Sequence, residues 1–508
     1  MGRKKKRLRD LLPRGQVARN TTASYVAFGS NIIVGLITIP LIIAFLNREE
    51  IGIWAIINSV MACVIWLDAG VGFATGRLIA DSVIKRDTED MNSWYSLSTI
   101  VLLGQGALIF IVGLVMAPWL MDAFRVSDEL RAEAQLLMVA TALFFGLRRP
   151  MAIYPGVIMA MERYHWIPMG QSVRAWLRLA VLAAGLMSGL RLKAYILAEL
   201  STVVFEFVYH RFVIRFGGIQ LKMSWSGFDW RRSRRLFSYS SAQGVLALCN
   251  TLMMALPAFI VGRYIGLTTV PVVTYTAKIP EMLRSISAKT MQSFYPKIQA
   301  AYVREERSKM VALHTRAMKL TLLIFGAGSI GVMAMNRSVV TLLAGHEFYG
   351  GTTLTFLIII YGLLSLVLNC GIRMFHAVGD LRKLWLVSIL EVLAAVGLSV
   401  ILLPYYGMHG VFIAGITATL FFKGFYVIIV GCRLWGVPVK EFIDEHWRDL
   451  AIVLVCLSCC CLVLSMSGER LEVFPSISEM GIVVLLAIVT LVYGTLVYKR
   501  KQRKSNVA

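Results

Sequence analysis

Charged residues are scarce in this sequence. Asp, Glu, Lys and Arg make up 16% of the 508 residues, whereas a typical soluble domain has about 25%. Apolar residues make up 57%, and they occur in runs of about 20 that short polar segments separate. This composition excludes a soluble globular protein. Because a helix satisfies its backbone hydrogen bonds within one segment, the runs predict an all-α polytopic membrane protein.

Recognisable metal-binding and catalytic motifs are also missing. Four of the eight cysteines are scattered, and the other four lie in the apolar stretch "CLSCCC" (456–461) without a histidine cluster nearby. The seven histidines form no HExxH motif and no base-and-nucleophile arrangement. "GAGSIG" (326–331) spells a dinucleotide motif, but it lies in an apolar run without the preceding strand that such a site needs. We therefore expect a protein that is not an enzyme and has neither a metal nor a cofactor.

The apolar runs predict about 14 transmembrane helices, each long enough to cross a bilayer. They lie near 22–46, 51–69, 95–117, 132–157, 167–188, 194–213, 236–261, 270–293, 320–336, 354–377, 384–403, 411–431, 450–466 and 477–497.

The distribution of basic residues predicts the orientation. With a cytoplasmic N-terminus, the inside loops and tails hold about 35 Lys and Arg and the outside loops about 8. An even number of spans returns the basic C-terminus to the cytoplasm. The first 20 residues are basic without an apolar core behind them, which predicts a cytoplasmic tail rather than a cleaved signal peptide. The net charge of +23 thus reflects topology and contact with anionic membrane lipids, and not nucleic-acid binding.

A dense basic segment, "DWRRSRRLF" (229–237), falls between the sixth and seventh predicted spans and divides the chain. The predicted domains are a basic cytoplasmic tail (1–20), a six-helix lobe (21–214), a cytoplasmic linker (215–235), a second six-helix lobe (236–432), helices thirteen and fourteen (433–498) and a basic cytoplasmic tail (499–508).

Cations outnumber acids at membrane depth. A charge there normally faces a water-filled cavity or a partner, so the excess predicts a cavity that attracts anions. The basic residues are Arg148, Arg149, Arg174, Arg178, Lys278, Arg284, Lys289, Arg373 and Lys423. The acids are Asp68, Glu199, Glu206, Glu281 and Glu391.

Some of these charges have partners at equal depth. In a helical hairpin, residues equidistant from the turn lie side by side, which matches Arg174 with Glu206 and Glu391 with Lys423. We expect structural ion pairs at both places, with proton or sodium coupling as the alternative role of Glu391. Asp68 either caps the cytoplasmic end of the second span or takes part in ion coupling.

The eighth span carries a polar stripe. Lys278, Glu281, Ser285, Lys289 and Gln292 fall within one sector at 100° per residue. An i,i+3 pair of Lys278 and Glu281 would leave Lys289 unmatched on that face. The stripe is expected to line the cavity; contact between helices is the alternative.

Arg148 and Arg149 lie in "FFGLRRPMAIYPG" (144–156), inside the over-long fourth span. Neighbouring residues of a helix point about 100° apart, so both cannot face one spot. We expect one to bind an anion and the other to pair with an acid or reach the interface. The alternative is that the helix ends at Leu147 and the two arginines mark its boundary.

Four stretches resemble the multidrug/oligosaccharidyl-lipid/polysaccharide exporter superfamily, in particular its polysaccharide-biosynthesis branch of O-antigen-type flippases. They are "FLNREEIGIWAIINSVMACVIWLDAGVGFATGRLIA" (45–80), "VVTYTAKIPEMLRSISAKTMQSFYPKIQ" (272–299), "VVTLLAGHEFYGG" (339–351), and "HAVGDLRKLW" (376–385) followed by "LPYYGMHGVFIAG" (403–415).

The resemblance implies two six-helix lobes around a central cavity and two peripheral C-terminal helices, in the bacterial plasma (inner) membrane. It implies ion-coupled alternating access, driven by H⁺ or Na⁺, that flips an undecaprenyl-pyrophosphate oligosaccharide. The polymerase and glycosyltransferases of the same pathway would then be partners. Pyrophosphate would supply the anion that the cationic cavity lacks, and the arginine fork suits it. The expected anion-binding residues are Arg148, Arg149, Lys278, Arg284, Lys289 and Arg373.

Three alternatives remain. The first is a lipid II flippase, whose substrate also contains a pyrophosphate. An exporter of small molecules would share the fold, although one for cationic drugs should favour acidic residues. An O-antigen polymerase or ligase would be an enzyme, but such proteins have a large periplasmic loop, and no predicted outside loop here exceeds about 20 residues.

Overall fold

The computed structural model describes residues 14–65, 75, 78–79, 82, 87–160, 164–217, 221–223, 230–378, 383–435, 451, 453–455 and 457–458. Regular structure in these residues is helical, with no strand among them. The helices are α1 (Arg14–Phe45), α2 (Arg48–Ile65), α3 (Thr88–Ala123), α4 (Asp128–Arg148), α5 (Tyr154–Ala160), α6 (Trp166–Met187), α7 (Lys193–Phe216), α8 (Trp230–Tyr264), α9 (Val270–Val303), α10 (Arg307–Ala344), α11 (Thr352–Val378), α12 (Leu384–Tyr406), α13 (Met408–Ala418) and α14 (Phe425–Trp435).

Many of the helices have the length and apolar composition of membrane-spanning helices. Eight helical segments of the described chain are long and apolar enough to cross a membrane, and many of their large apolar side chains are exposed to the surroundings. The protein is therefore a multi-pass membrane protein. Each of the first twelve predicted spans overlaps an observed helix. The last two lie mostly outside the described residues, so the count of fourteen stays a prediction.

The chain forms two compact units, Met1–Leu248 and Cys249–Ala508, here called unit 1 and unit 2. In unit 1, α3 packs on α4, α6 on α7, and α1 on α6. In unit 2, α9 packs on α10 and α11, and α12 on α13. The division falls inside α8. The predicted linker at 215–235 is only partly described, and the predicted domain boundaries stay predictions.

Two glycines bring α3 and α4 into close contact. A Cβ atom on Gly106 would lie 2.4 Å from the carbonyl oxygen of Gly146, and one on Gly146 would lie 2.5 Å from that of Gly106. Small residues that let two backbones approach are typical of helix contacts in membranes. This contact fixes the end of α4, two residues before Arg148.

The fourth predicted span is interrupted at the two adjacent arginines but does not end there. The α-helix ends at Arg148, a 3₁₀ helix spans Arg149–Ile153, and α5 continues to Ala160. Pro150 has no backbone N–H to donate, and tightening into 3₁₀ geometry is a common response at a helix end. The α-helical part thus ends one residue after Leu147, but helical structure continues through both arginines within one candidate span, Asp128–Ile158.

One end of unit 1 is held together by polar contacts between loops. The Glu50 carboxylate forms an ion pair with Arg191, 2.8 Å from its Nε atom, and this negative charge raises the pKa of the Arg191 guanidinium. Oε1 of Glu49 accepts from the Ser127 backbone N–H at 2.8 Å. The loops before α2, before α4 and before α7 thus meet at one end, as alternating helices require.

Candidate functional site

Unit 2 contains a cavity of about 270 Å³ between α8, α9, α11, α12 and the segment that joins α13 to α14. Its wall combines charged, amide, hydroxyl and apolar side chains. The lining residues are Asn250, Met253, Met254, Arg284, Ala288, Met291, Gln292, Tyr361, Ser365, Leu366, Leu368, Asn369, Cys370, Arg373, Glu391, Thr419 and Lys423.

A buried ion pair forms one side of this cavity. Nζ of Lys423 lies 2.5 Å from Oε2 of Glu391, and their side chains are only 7% and 1% exposed. Lys423 also donates to Oδ1 of Asn250 at 3.1 Å, and the Thr419 hydroxyl donates to Oε1 of Glu391 at 2.7 Å. The predicted contact between Glu391 and Lys423 is therefore present, and each partner has a second hydrogen-bonding neighbour.

Thr419 and Lys423 lie in a π-helical turn, Thr419–Gly424, between α13 and α14. Such turns are rare and are often found at functional sites. This turn packs against α12, the helix that contains Glu391.

Arg284 and Arg373 add two more cations to the wall. Nη2 of Arg284 donates to the Met254 sulfur at 3.4 Å, and the Arg373 guanidinium lies 5.8 Å from the centre of the Tyr295 ring. Neither arginine forms an ion pair with a described residue. With Lys423 they make three cations in the wall against one lining carboxylate, that of Glu391. Glu281, one helical turn before Arg284, is a second acid close enough to interact with it, so a positive excess of one charge remains.

The polar stripe predicted on α9 has only one member in this wall. Gln292 lines the cavity, whereas Lys278, Glu281 and Lys289 are not among its lining residues. Glu281 and Lys289 are exposed and Lys278 is half-buried. The lining face of α9 instead runs through Arg284, Ala288, Met291 and Gln292. The anion-binding role expected of the two lysines stays a prediction.

Unit 1 contains a second cluster, here called the charge ladder, in which five charges alternate in sign: Arg174, Glu206, Arg148, Glu199 and Arg178. Arg148 reaches Glu206 through Nε at 2.9 Å and Nη2 at 3.0 Å, and Glu199 through Nη1 at 3.4 Å. Nε of Arg178 donates to Glu199 at 2.8 Å. Arg174 forms an ion pair with Glu206, as predicted.

The adjacent arginines 148 and 149 have different surroundings. Arg148 pairs with two acids of α7, the arrangement predicted for one of the two residues. Arg149 is buried in the 3₁₀ helix, and its role as an anion ligand stays a prediction. Asp68 lies outside the described residues, so its capping or coupling role also stays a prediction.

Sequence reasoning missed the central part of the ladder. Arg148 and Arg178 were recognised as charges at membrane depth, but neither was matched with Glu199 or Glu206. A usable signal was present, since Glu199 and Glu206 are seven residues apart on α7, and Arg174 and Arg178 are four apart on α6. Both spacings place the two side chains on one helix face.

No group of three or more His, Cys, Asp or Glu within the described ranges is arranged to hold a metal ion. The candidate chemistry is therefore that of the cationic cavity in unit 2 and the charge ladder in unit 1.

No family model and no curated protein matches the chain. Several solved structures match it in fold. An inward-facing multidrug resistance MATE family transporter of the MOP superfamily is 17% identical, with a TM-score of 0.65 over 81% of this chain and 96% of that chain. The lipid II flippase MurJ in an inward closed conformation is 14% identical, with a TM-score of 0.67 over 95% of this chain and 99% of that chain.

A third match is a MOP superfamily transporter from Pyrococcus furiosus, 17% identical over 84% of this chain and 96% of that chain, with a TM-score of 0.62. This chain has the MOP transporter fold. The superfamily resemblance predicted from the four sequence stretches is thereby confirmed at the level of the fold. The proteins with this fold reported above are transporters and a flippase rather than enzymes.

Proposed function

We propose that this protein is a flippase that carries an undecaprenyl-pyrophosphate-linked oligosaccharide across the bacterial plasma membrane, for polysaccharide or O-antigen biosynthesis. The MOP fold supports transport by alternating access. The cation excess in the unit 2 cavity supports an anionic substrate. In this proposal the N- and C-termini are cytoplasmic, and the polymerase and glycosyltransferases of the pathway act before or after the flippase.

The observation that carries the proposal is the pair of arginines in that cavity. Arg284 and Arg373 form no ion pair with a described residue, so their charges are available to a ligand. A guanidinium donates two parallel hydrogen bonds to phosphate oxygens, and a low-dielectric wall strengthens the attraction. The amides of Asn250, Gln292 and Asn369 add donors and acceptors suited to phosphate oxygens and sugar hydroxyls.

The Glu391–Lys423 pair offers a route for coupling to an ion gradient. Glu391 is held by Lys423 and Thr419 at the cavity wall, where a bound anion would compete with it for the Lys423 ammonium. A carboxylate released in this way would attract H⁺ or Na⁺, because an isolated charge in an apolar interior is costly. In this proposal the binding of the substrate and the binding of the cation are therefore linked through one salt bridge, and each favours the other.

A lipid II flippase is the second candidate. The chain matches MurJ over 95% of its length, and lipid II carries the same pyrophosphate. Export of cationic drugs fits the cavity less well, because the positive excess would repel such a substrate. The Pyrococcus furiosus transporter is described as having a binding pocket of reverse polarity that suggests a different function. That description is consistent with pocket charge, rather than fold, deciding the substrate.

The proposal is tested by removing the two arginines. Purified protein is reconstituted into liposomes that contain a fluorescent undecaprenyl-pyrophosphate oligosaccharide, and flipping is followed with a membrane-impermeant quencher. Arg284→Gln and Arg373→Gln should each slow flipping at least about tenfold, since a charge-assisted hydrogen bond is lost. Lys at either position should restore little, because the planar fork is absent.

Arg263→Gln is the matched control, since Arg263 is an exposed arginine in the last turn of α8, outside the cavity lining. The Arg263→Gln variant should flip the fluorescent lipid at the wild-type rate. Wild-type rates in both cavity variants, at equal amounts of reconstituted protein, would show that the cavity does not bind the substrate.

A further inference from the structure

An asparagine on α10 joins three helices of unit 2 at a buried point. The amide nitrogen of Asn336 donates to the backbone carbonyl of Thr276 on α9 and to the hydroxyl of Thr355 on α11, each at 3.0 Å. All three residues are 0% exposed. A backbone carbonyl only accepts hydrogen bonds, so the donating half of the amide has to face Thr276. The Asn336 amide oxygen has no hydrogen-bond partner among the described residues, so the donors are the half of this side chain that the contact uses.

The contact supplies a hydrogen bond that α9 cannot make by itself. In an α-helix the carbonyl of each residue accepts from the N–H of the residue four positions later. For Thr276 that residue is Pro280, which has no N–H. A buried carbonyl without a donor is costly. Asn336 therefore takes the place of the N–H that is missing at Pro280.

Pro280 divides α9 into two arms with different surroundings. The first arm, 270–279, is held by the contact above and by the loop after α10, because the Gly350 N–H donates to Oγ1 of Thr276 at 2.9 Å. A proline inside a helix is a usual site of a bend. The second arm, 281–303, contains every residue that α9 contributes to the unit 2 cavity, namely Arg284, Ala288, Met291 and Gln292.

A small change in the angle between the arms moves the cavity wall by a large distance. Gln292 lies twelve residues after Pro280, which is about 18 Å along the helix. A change of about 10° would displace it by about 3 Å, which is the length of a hydrogen bond. Misplacing a binding group by about 1 Å is enough to lower rates as much as a hundredfold. A contact that fixes this angle therefore controls how well the cavity holds its substrate.

We propose that Asn336 is a positioning residue for the unit 2 cavity. By replacing the backbone donor that Pro280 lacks, it sets the angle between the two arms of α9 and thereby places Arg284 and Gln292 against the transported substrate. The inference rests on the proposed function for the identity of that substrate.

Simple attachment of one helix to another is the competing explanation, and residue 280 separates the two. If Asn336 only holds the helices together, its loss has the same effect whether residue 280 is proline or alanine. If Asn336 replaces a missing N–H, Pro280→Ala supplies that N–H within α9 and makes the asparagine dispensable. Two substitutions that act on one hydrogen bond are non-additive, and a double-mutant cycle measures the difference.

The experiment measures flipping of the fluorescent undecaprenyl-pyrophosphate oligosaccharide at a series of lipid concentrations, with equal amounts of full-length protein in liposomes. Asn336→Leu keeps the volume and removes the donors. It should raise the half-saturating lipid concentration at least about tenfold and leave the maximal rate within about twofold of the wild type. In the Pro280→Ala background, the same substitution should raise the half-saturating concentration less than about threefold. Asn336→Ser, which is too short to reach Thr276, is a milder second variant and should act in the same direction.

Asn58→Leu is the matched control. Asn58 on α2 also donates to a backbone carbonyl, that of Trp54, at 2.8 Å. The residue four positions after Trp54 is Asn58 itself, so the helical N–H donor is present there. Asn58→Leu should leave the half-saturating lipid concentration unchanged in both backgrounds.

The outcomes separate this inference from the proposed function. Equal effects of Asn336→Leu in the Pro280 and Pro280→Ala backgrounds would overturn the positioning role, and so would a wild-type half-saturating concentration in the two Asn336 variants. If Arg284→Gln still slows flipping in either case, the proposed function stands. A wild-type protein that does not flip the lipid at all would contradict the proposed function and this inference together.

Discussion

At the scale of single residues, Glu391 and Lys423 show how a buried pair constrains substitution. Both side chains are nearly inaccessible, and each has one further hydrogen-bonding neighbour. Removing one partner leaves the other charge buried without its counterion, which typically costs about 3–5 kcal/mol. Replacing both charges with apolar groups avoids that cost and is often neutral.

We therefore predict that Lys423→Met lowers the free energy of unfolding by about 3–5 kcal/mol and that Glu391→Leu/Lys423→Met regains most of this loss. Unfolding in detergent micelles measures both. Recovery of stability together with normal flipping would identify the pair as structural. Recovery of stability with loss of gradient-dependent flipping would identify a coupling role. A single variant as stable as the wild type would contradict the buried pair itself.

Residue pairs were predictable from the sequence only where the chain turns back on itself. Arg174–Glu206 and Glu391–Lys423 each join two consecutive helices, so distance from the turn was sufficient to match them. Arg148 joins α4 to α7, two helices that are not consecutive, and no depth argument selects such a partner. Of the four ladder contacts, only Arg174–Glu206 was predicted; Arg178–Glu199 also joins consecutive helices, but its two residues are not equidistant from the turn.

At the scale of helices, the contact between α3 and α4 depends on the absence of two side chains. Gly106 and Gly146 face each other so closely that a Cβ atom on either would meet backbone rather than a flexible side chain. Backbone cannot move aside without separating the helices, and α4 carries Arg148 at its end. This contact therefore links helix packing to the position of the charge ladder.

We predict that Gly146→Ala destabilises the protein by about 1–3 kcal/mol, the usual cost of overpacking. Gly104→Ala is the matched control on α3, because a Cβ atom there would meet nothing within 4 Å, and alanine is the better helix former. Thermal unfolding of both variants in the same detergent gives the comparison. Equal melting temperatures for Gly146→Ala and Gly104→Ala would show that the close approach does not occur.

Helix periodicity predicted a polar stripe on α9, and the unit 2 cavity has a different lining face of that helix. The predicted stripe and the observed lining face share only Gln292. Polar residues on a membrane helix can face a cavity, a neighbouring helix or the membrane surface, and the period is the same in all three cases. The packing of α9 against α10 and α11 decides which of its faces lines the cavity, and this packing cannot be read from the sequence of α9 alone.

At the scale of the whole molecule, the hydropathy pattern was sufficient to predict an all-helical membrane fold, because a membrane permits few architectures. Twelve of the predicted spans overlap observed helices, and the MOP fold agrees with the predicted superfamily. The substrate could not be predicted in the same way, because proteins that are 14–17% identical share this fold and include both a multidrug transporter and a lipid II flippase. The fold alone therefore does not identify the substrate.

The central claim is that the protein moves a lipid because the lipid carries a pyrophosphate. The direct measurement compares two fluorescent undecaprenyl lipids with the same sugar in liposomes that contain the wild-type protein. One lipid retains the pyrophosphate, and in the other a neutral linkage replaces it. We predict that the pyrophosphate lipid is flipped at least about tenfold faster than the neutral lipid, since two charge-assisted contacts are lost with the phosphates. Equal rates for the two lipids, or export of a cationic drug with no movement of either lipid, would contradict this account.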